Sequence, residues 1–452
     1  MIGKKPHWLL GLVFGVFLNA CTAMPQEEIT VQPEDIRFSG ERAFDIETEF
    51  VRLFPNRHSG QPNNRLAAEW LHAQLTNAGW DCQFDEWEIF NYSRTVPLTN
   101  VACKLQGASA QEFLIVAHHD QASTTIEGAD NDASGVSILV HLAEVFASEP
   151  QQPYTLAFVF TDAEDYGMIG TARYIDTHPN PDLIIAGVSL DNLGRTYYNG
   201  LNMELIGRYR KFGPIWLGVL ARDSAVAAGI EWKVYPPILI DQITGQAAPI
   251  SFMDQGPMVA AGIPALGFAG RVPAEVGDEH YRLWHNPDDT MENQSAASLN
   301  QSGRITEALI RQLQSMESFP QDSGPYLYLE DSEQIIRGIP LWVAFIGFTA
   351  LFFLASLRAG GRSPSENISE WGKSVPHFLG LWLPLVATVL FLYLLVQIGV
   401  VLFNLRQCIM TRVGTHTFHG FAPPPVPVPD QFGIARKRLG RGKILRLVLL
   451  RP

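Results

Sequence analysis

The sequence predicts an α/β fold, a mostly parallel central sheet with helices on both faces, followed by C-terminal transmembrane helices. Three observations predict it. The near-continuous apolar runs at 154–161 and 183–190 have the look of strands buried on both faces, as parallel strands are. Stretches with apolar residues at helical spacing, such as 134–147, alternate with those strands. Beyond Pro320 come two apolar runs, 339–357 and 376–405, each long enough to cross a bilayer.

The N-terminus comes first. Lys4 and Lys5 precede an apolar run from Trp8 to Ala20, the length of a signal-peptide core. The run ends Leu-Asn-Ala-Cys at Cys21, close to the lipobox in which the cysteine is acylated and becomes the mature N-terminus. An ordinary signal peptide and an uncleaved anchor are the alternatives, and all three export the chain beyond them. Residues 22–39 are polar and contain proline, and read as a tether; the globular pattern covers 40–318. In the loop Phe54 to Asn64, Asn63 or Asn64 is placed to cap a helix running to Ala78, which Gly79 ends. Residues 80–90 and 99–106 read as strands of a hairpin or sheet edge. Cys82 and Cys103 lie on them and can pair in an oxidising compartment. Four cysteines are otherwise too few for a disulfide scaffold. A strand at 113–117 and the helix at 134–147 follow. After the strands at 154–161 and 183–190 come a helix near 213–228, a strand at 265–268 and a last helix over 295–318.

The apolar runs carry no charge and follow a completed domain, which favours membrane spans. Arg358, Arg362 and Lys373 between them favour a cytoplasmic loop, in agreement with an exported catalytic domain anchored in the cell envelope. The second run is one span or a re-entrant pair. The tail, 406–452, is Pro-rich and then basic; two spans leave it outside, against the positive-inside tendency. The net charge of −13 argues against nucleic acid as a partner.

Chemistry concentrates where strands end. Open α/β sheets put their sites at the carboxyl ends of strands. The strand at 113–117 delivers His118 and Asp120 there, and a metal-bound imidazole needs its other nitrogen held, commonly by a carboxylate. Four further segments carry candidate ligands: Asp130-Asn131-Asp132, Glu164-Asp165, Asp191 and His285. Imidazole with carboxylate suits zinc. A catalytic zinc site also needs a base that is not consumed as a ligand, and adjacent Glu164 and Asp165 offer that split. One acidic pair alone is usually a solvated face; five such segments in this order are stronger evidence.

In order along the chain stand A-H-x-D at Ala117, G-A-D-x-x-A-S-G at Gly128, A-E-[ED]-x-G-x-x-G at Ala163, L-D-x-x-G at Leu190 and H-x-x-x-D-T at His285. Over 40–318 the chain resembles the co-catalytic zinc aminopeptidases, a family that includes bacterial leucine aminopeptidases, glutaminyl cyclases, glutamate carboxypeptidase-like enzymes and the transferrin receptor ectodomain. The resemblance implies a zinc exopeptidase-like fold, a peptide substrate and two zinc ions. It implies that His118, Asp165, Asp191 and His285 are metal ligands, that Glu164 is the general base and that Asp120 orients His118. The family's metal-bridging aspartate falls on Asn131, which therefore stands among the metal positions as a neutral amide. Either Asp130 or Asp132 reaches in instead, or one metal is held weakly, or the site is impaired. Asp254 sits where the family has an Asp-His pair, and here Gln255 follows it.

Other residues read as structural. His119, His141 and His280 are expected to be ordinary packing or rim histidines. Trp284 either walls the substrate pocket or is a partly buried aromatic. Ser134 is expected to cap the helix after the metal loop, and Tyr166-Gly167 with Gly170 to form a turn that aims the Glu-Asp pair at the cleft. The functional expectation is an exported, membrane-attached zinc aminopeptidase. A glutaminyl-peptide cyclotransferase and a binding ectodomain without catalysis are the alternatives.

Overall fold

The computed structural model describes residues 27–320, apart from 92–93, 209–210, 238–241, 243–244 and 246–249; three short strands and the isolated positions 391, 394 and 398 are described beyond it. The expected signal segment up to residue 20, the apolar run 339–357, nearly all of 376–405 and the tail 406–452 lie outside the described residues. Among the described residues no helix is long and apolar enough to cross a membrane. All described residues belong to the unit Met1–Thr415; the second unit, His416–Pro452, has none.

Eight strands form the main sheet: β1 (Asp81–Asn91), β2 (Arg94–Leu105), β3 (Ser109–His118), β4 (Tyr154–Thr161), β5 (Ile184–Leu190), β6 (Leu201–Glu204), β7 (Val234–Tyr235) and β8 (Ala265–Gly270). Their order is β1-β2-β4-β3-β5-β8-β6-β7. The centre, β4-β3-β5-β8, is parallel throughout. The β6-β7 pair is parallel as well. The β1-β2, β2-β4 and β8-β6 pairs are antiparallel, so four of the seven pairs are parallel and the sheet is mixed. The long 81–105 hairpin is what supplies the antiparallel edge. Its strands register Cys82 directly opposite Cys103, and the two form the expected disulfide.

Helices cover both faces, as expected. Eight matter for the site and its support: α1 (Gly40–Leu53), α2 (Pro62–Asn77), α3 (Ser134–Ala147), α4 (Ile169–Thr177), α5 (Ile215–Ala227), α6 (Gln255–Ala261), α7 (Gly277–Leu283) and α8 (Ala296–Ser315). Alternation along the strands decides the division. Phe113, Ile115 and Ala117 of β3, with Leu156, Phe158 and Phe160 of β4, face a core shared with α1, α2, α3, α5 and α8. Leu114 and Val116, with Ala157 and Val159, face the other side, against Tyr174 and Ile175 of α4 and Met258 and Val259 of α6.

Three local expectations are corrected. The segment read as a tether, 22–39, docks from about residue 30 onward. Val31 and Phe38 are buried, Thr30 N donates to Gln312 Oε1 at 2.8 Å, and Phe38 N donates to Glu307 Oε2 at 2.8 Å. Its few apolar side chains are enough to fix it on α8. Asn63 and Asn64 do not cap α2, because Pro62 begins the helix; they donate instead to the carbonyls of Pro55 and Arg57. Ser134 begins α3 without capping it, since its hydroxyl donates to the carbonyl of Asp130 at 2.7 Å.

A surface cluster at the start of α1 carries a pH dependence. His141 Nδ1 lies 2.9 Å from Glu144 Oε2, and Arg42 Nε donates to the same oxygen at 3.1 Å. Burial opposes ionisation of Glu144, but the hydrogen bonds from His141 and Arg42 outweigh it and hold the carboxyl down to about 2. A depressed acid stabilises the fold above its unfolded pKa and loses that contribution as pH falls toward the folded value. Glu144→Gln is therefore expected to lower stability by about 1 kcal/mol at pH 7. The difference should vanish near pH 2 when denaturant midpoints are compared.

Candidate metal centre and active site

Carboxyl ends of the parallel strands deliver the predicted residues to one place. β3 ends at His118, β4 leads into Glu164 and Asp165, and β5 into Asp191. His118 Nδ1 lies 3.3 Å from Asp120 Oδ1, and His118 Nε2 lies 3.8 Å from Asp191 Oδ1. His285 Nε2 lies 3.3 Å from Asp165 Oδ1 and 2.7 Å from Asn131 Nδ2. Glu164 joins the group through its backbone, whose N–H donates to Asp120 Oδ1 at 3.2 Å. Four non-glycine residues with positive φ stand at these turns: Ala163 (61°), Met168 (56°), Asn192 (57°) and His285 itself (54°). That backbone region is sparsely used by residues with a Cβ and clusters at functional sites.

The loop between His118 and Asn131 is stapled from below by Arg57. Its fully buried guanidinium donates to the carbonyl of His119 (3.0 Å), to Gln121 Oε1 (3.0 Å) and to the carbonyls of Glu127 and Gly128. Burial lowers its pKa to about 10, with Asp289 and Asp132 opposing the shift, so it stays charged at neutral pH. Arg57→Met would strand four acceptors in the interior. A loss of about 3 kcal/mol or more is expected in urea unfolding, by analogy with breaking a buried ion pair.

Asp289, the aspartate of H-x-x-x-D-T, accepts from the backbone N–H groups of Asp130 (3.0 Å) and Asn131 (3.2 Å). Asp130 is held by Arg195 Nε (2.8 Å), Tyr198 Oη (2.6 Å) and Gly194 N (2.9 Å). Asp132 accepts from Gly135 N at 2.9 Å and His118 N at 3.3 Å. Both flanking aspartates thus serve the loop's own scaffold, and Asn131 is the member of the trio whose side chain meets His285. Arg57, Asp289, Arg195 and Tyr198 were not singled out from the sequence. Only Asp289 carried a signal there, as part of its motif.

Donor chemistry agrees with a zinc ion. Among the described residues, no three His, Cys, Asp or Glu side chains are drawn together as a metal cluster; the contacts run in pairs. His118 Nε2, Asp165 Oδ2 and Asn131 Oδ1 are nevertheless buried without hydrogen-bond partners. Buried polar atoms are rarely left so, and a cation supplies what they lack. Burial, reinforced by Asp120 and Asp191, raises Asp165 to about 7. Burial also pushes Glu164 well above the ordinary range, with Asp191, Asp254 and Asp165 adding to it. For His118, burial favours the neutral ring but the neighbouring carboxylates of Asp120 and Asp191 win, and its pKa rises well above normal. Such an excess of negative charge attracts a dication, and imidazole nitrogen with carboxylate oxygen is a zinc set.

An open cavity of about 220 Å³ adjoins these residues, lined by Asp120, Asp165 and His285 together with His58, Ser59, Tyr166 and the 121–124 loop. Trp284 is absent from that lining; its ring instead lies against His285, centroids 4.2 Å apart, and is 38% exposed. His141 and His280 lie elsewhere, on Glu144 and Tyr197, and His119 is fully buried beside the site. Asp254 accepts from Thr161 Oγ1 at 2.6 Å and contacts none of the candidate ligands by hydrogen bond. The 164–168 turn forms, with Gly167 N and Met168 N both donating to the carbonyl of Glu164 and Gly167 at φ 108°. Of the Glu-Asp pair, Asp165 lines the cavity.

Comparison with known proteins gives one family. Residues 100–310 match Peptidase family M28. The chain is 26% identical over 256 residues to the alkaline phosphatase isozyme conversion protein of Escherichia coli, covering 50% of this chain and 70% of that one. It is 24% identical over 208 residues to aminopeptidase YwaD of Bacillus subtilis, covering 46% of this chain but only 42% of that protein. Among solved structures, a zinc aminopeptidase from Bacillus subtilis superposes with a TM-score of 0.52 at 13% identity, over 63% of this chain and 98% of that one. A Porphyromonas gingivalis glutaminyl cyclase does so with a TM-score of 0.52 at 21% identity, over 62% and 99%. At these identities the two structures establish the fold. The family read from the motifs is the family the comparisons return.

Proposed function

We propose, from the premise that residues 100–310 are a Peptidase family M28 domain, that the protein is a zinc metallopeptidase that removes N-terminal residues from peptides. The observation that carries the proposal is the convergence of two imidazole–carboxylate pairs, His118–Asp191 and His285–Asp165, on the strand ends beside an open cavity. His118, Asp191, Asp165 and His285 would hold the metal, with the Asn131 amide beside His285. A zinc ion held there supplies Lewis acidity toward a carbonyl and toward water.

The chain's own residues do the rest. Asp120 fixes the ring of His118 through Nδ1 and, by accepting from Glu164 N, fixes the turn that carries the base. The Glu164 carboxylate takes the proton of the attacking water and returns it to the leaving amine. Its burial excludes the competing solvent that would otherwise keep a carboxylate at its ordinary basicity.

A second reading is supported by two features: the neutral amide at Asn131 and the Trp284 ring packed on His285. In that reading the protein cyclises N-terminal glutamine. Incubation with a peptide that begins with glutamine separates the two, since a cyclase releases ammonia and a peptidase releases a free amino acid. Loss of either activity on chelation, and its return with zinc, tests the metal. Export and membrane attachment through the segments outside the described residues belong to the same proposal. Protease accessibility of 40–318 in intact cells tests them.

A further inference from the structure

The turn that carries Glu164 and Asp165 is closed at its neck by one side chain. Between Asp162, just past the end of β4, and Gly170, in the first turn of α4, the chain passes through three left-handed positions: Ala163 (61°), Gly167 (108°) and Met168 (56°). Ala163 and Met168 carry a Cβ, and such a backbone persists only where its surroundings over-determine it. Bonds within the turn do part of this. Gly167 N and Met168 N donate to the carbonyl of Glu164, and Ile169 N donates to that of Ala163 at 3.2 Å. The rest comes from β2. Its ladder with β4 runs as far as Val101 opposite Phe160, so the next residue, Asn100, stands where β4 leaves the sheet.

Asn100 is fully buried, and both halves of its amide are engaged. Its Oδ1 accepts from Asp162 N at 3.0 Å, and its Nδ2 donates to the carbonyl of Gly170 at 2.9 Å. One planar group thus ties both ends of the turn to the same strand. Gly170 admits the close approach: a Cβ there would lie 2.6 Å from Asn100 Oδ1 and 2.5 Å from the carbonyl oxygen of Asp162. The Asp162 carboxylate is seated separately, accepting from Thr99 N (3.0 Å), Ser59 Oγ (2.7 Å) and Asn64 Nδ2 (3.2 Å). Asn100 does not line the cavity, and neither bond of its amide goes to a candidate ligand.

We propose that Asn100 is a positioning residue: by holding Asp162 and Gly170 it sets where the carboxylates of Glu164 and Asp165 stand relative to the His118–Asp191 pair. The proposal rests on the aminopeptidase reading for what those two carboxylates do. A misplacement of about 1 Å in a reacting group costs about a hundredfold in rate. The partners that orient a metal ligand are worth about tenfold to a hundredfold in affinity.

Asn100→Ala and Asn100→Leu in the full-length protein test this. Both remove the two amide bonds; leucine keeps the volume, and alanine leaves room for water. Both should fold, because β2 keeps its main-chain ladders with β1 and β4, and Asp162 keeps its three carboxylate donors. Each variant is measured below its own Tm. Zinc affinity, by competition with a chelator, should fall about tenfold or more. On an N-terminally unblocked dipeptide, kcat should fall by about tenfold to a hundredfold while KM stays close to wild type. A residue that serves only the fold would lower Tm and leave the folded variant with wild-type zinc affinity and kcat. That result overturns the assignment, as does a loss confined to KM or a failure of both variants to fold. If the wild type cleaves no dipeptide but binds zinc, and the variants bind it more weakly, the peptidase reading falls and the positioning role stands. A wild type that binds no zinc overturns both.

Discussion

Glu164→Gln should lower kcat by about two to four orders of magnitude, the range general-base catalysis supplies, while zinc content and thermal stability stay close to wild type. The substitution is nearly isosteric at a residue only 8% exposed, so packing is preserved. The contact that positions the turn is made by the Glu164 backbone N–H to Asp120, which glutamine retains. What glutamine lacks is an atom that can accept a proton from water and hand it on. The substitution also removes one acid from a cluster in which burial and Asp191, Asp254 and Asp165 all disfavour ionisation. Structural damage is therefore not the expected cause of the loss. Steady-state kinetics with an N-terminally unblocked dipeptide, alongside elemental analysis of the same sample, gives both halves of the result. Full turnover in the glutamine variant would remove Glu164 from the chemistry. Lost zinc together with lost turnover would make it a ligand instead.

Fold and site are legible in the sequence where a signal repeats or where chemistry sits at a strand end. The apolar runs at 154–161 and 183–190 carry no charged residue, and both are central parallel strands. His118, Glu164, Asp165 and Asp191 were visible because each closely follows such a strand or ends it. What escaped depends on partners far away in sequence. Arg57 meets the 119–128 loop across 62 to 71 positions and leaves no local trace; Asp289 stands in its motif, but its partner Asp130 lies 159 positions away, so its role leaves none. The expected cap at Asn63 or Asn64 failed for a related reason. Local propensity favours an Asn cap, but both side chains reach the 55–57 loop instead, and Pro62 can only open the helix. The antiparallel edge was half seen: the hairpin was expected, but its strands run several residues further together than hydropathy alone suggested. The 22–39 segment reads as a tether because it is mostly polar, yet Val31, Ile36 and Phe38 join the core and its backbone bonds Gln312 and Glu307 of α8.

Asn131→Asp is the substitution expected to increase function rather than remove it. The surroundings of Asn131 fit a ligand. Asp289 pins its backbone N–H at 3.2 Å, its side-chain nitrogen lies 2.7 Å from His285 Nε2, and its buried Oδ1 has no partner. An amide offers a cation one neutral oxygen, whereas a carboxylate offers two and a full negative charge. The substitution keeps the shape of the side chain and replaces the –NH₂ facing His285 by an oxygen. Zinc affinity should therefore rise by about tenfold to a hundredfold, at least the range seen for adjusting a ligand's supporting partners. The stoichiometry should move toward two ions per chain. The metal-free variant should behave in the opposite sense. A further acid would then be buried beside Asp165 and Asp191, where uncompensated charge is costly, so its Tm in chelator should fall below that of wild type. Added zinc should raise the variant's Tm by more than it raises the wild type's, because a ligand that binds only the folded state stabilises according to its affinity. This opposed pair of shifts separates a metal-facing residue from a merely structural one. A structural asparagine would lower Tm in both conditions and leave zinc binding where it was, and that outcome would place the metal away from residue 131.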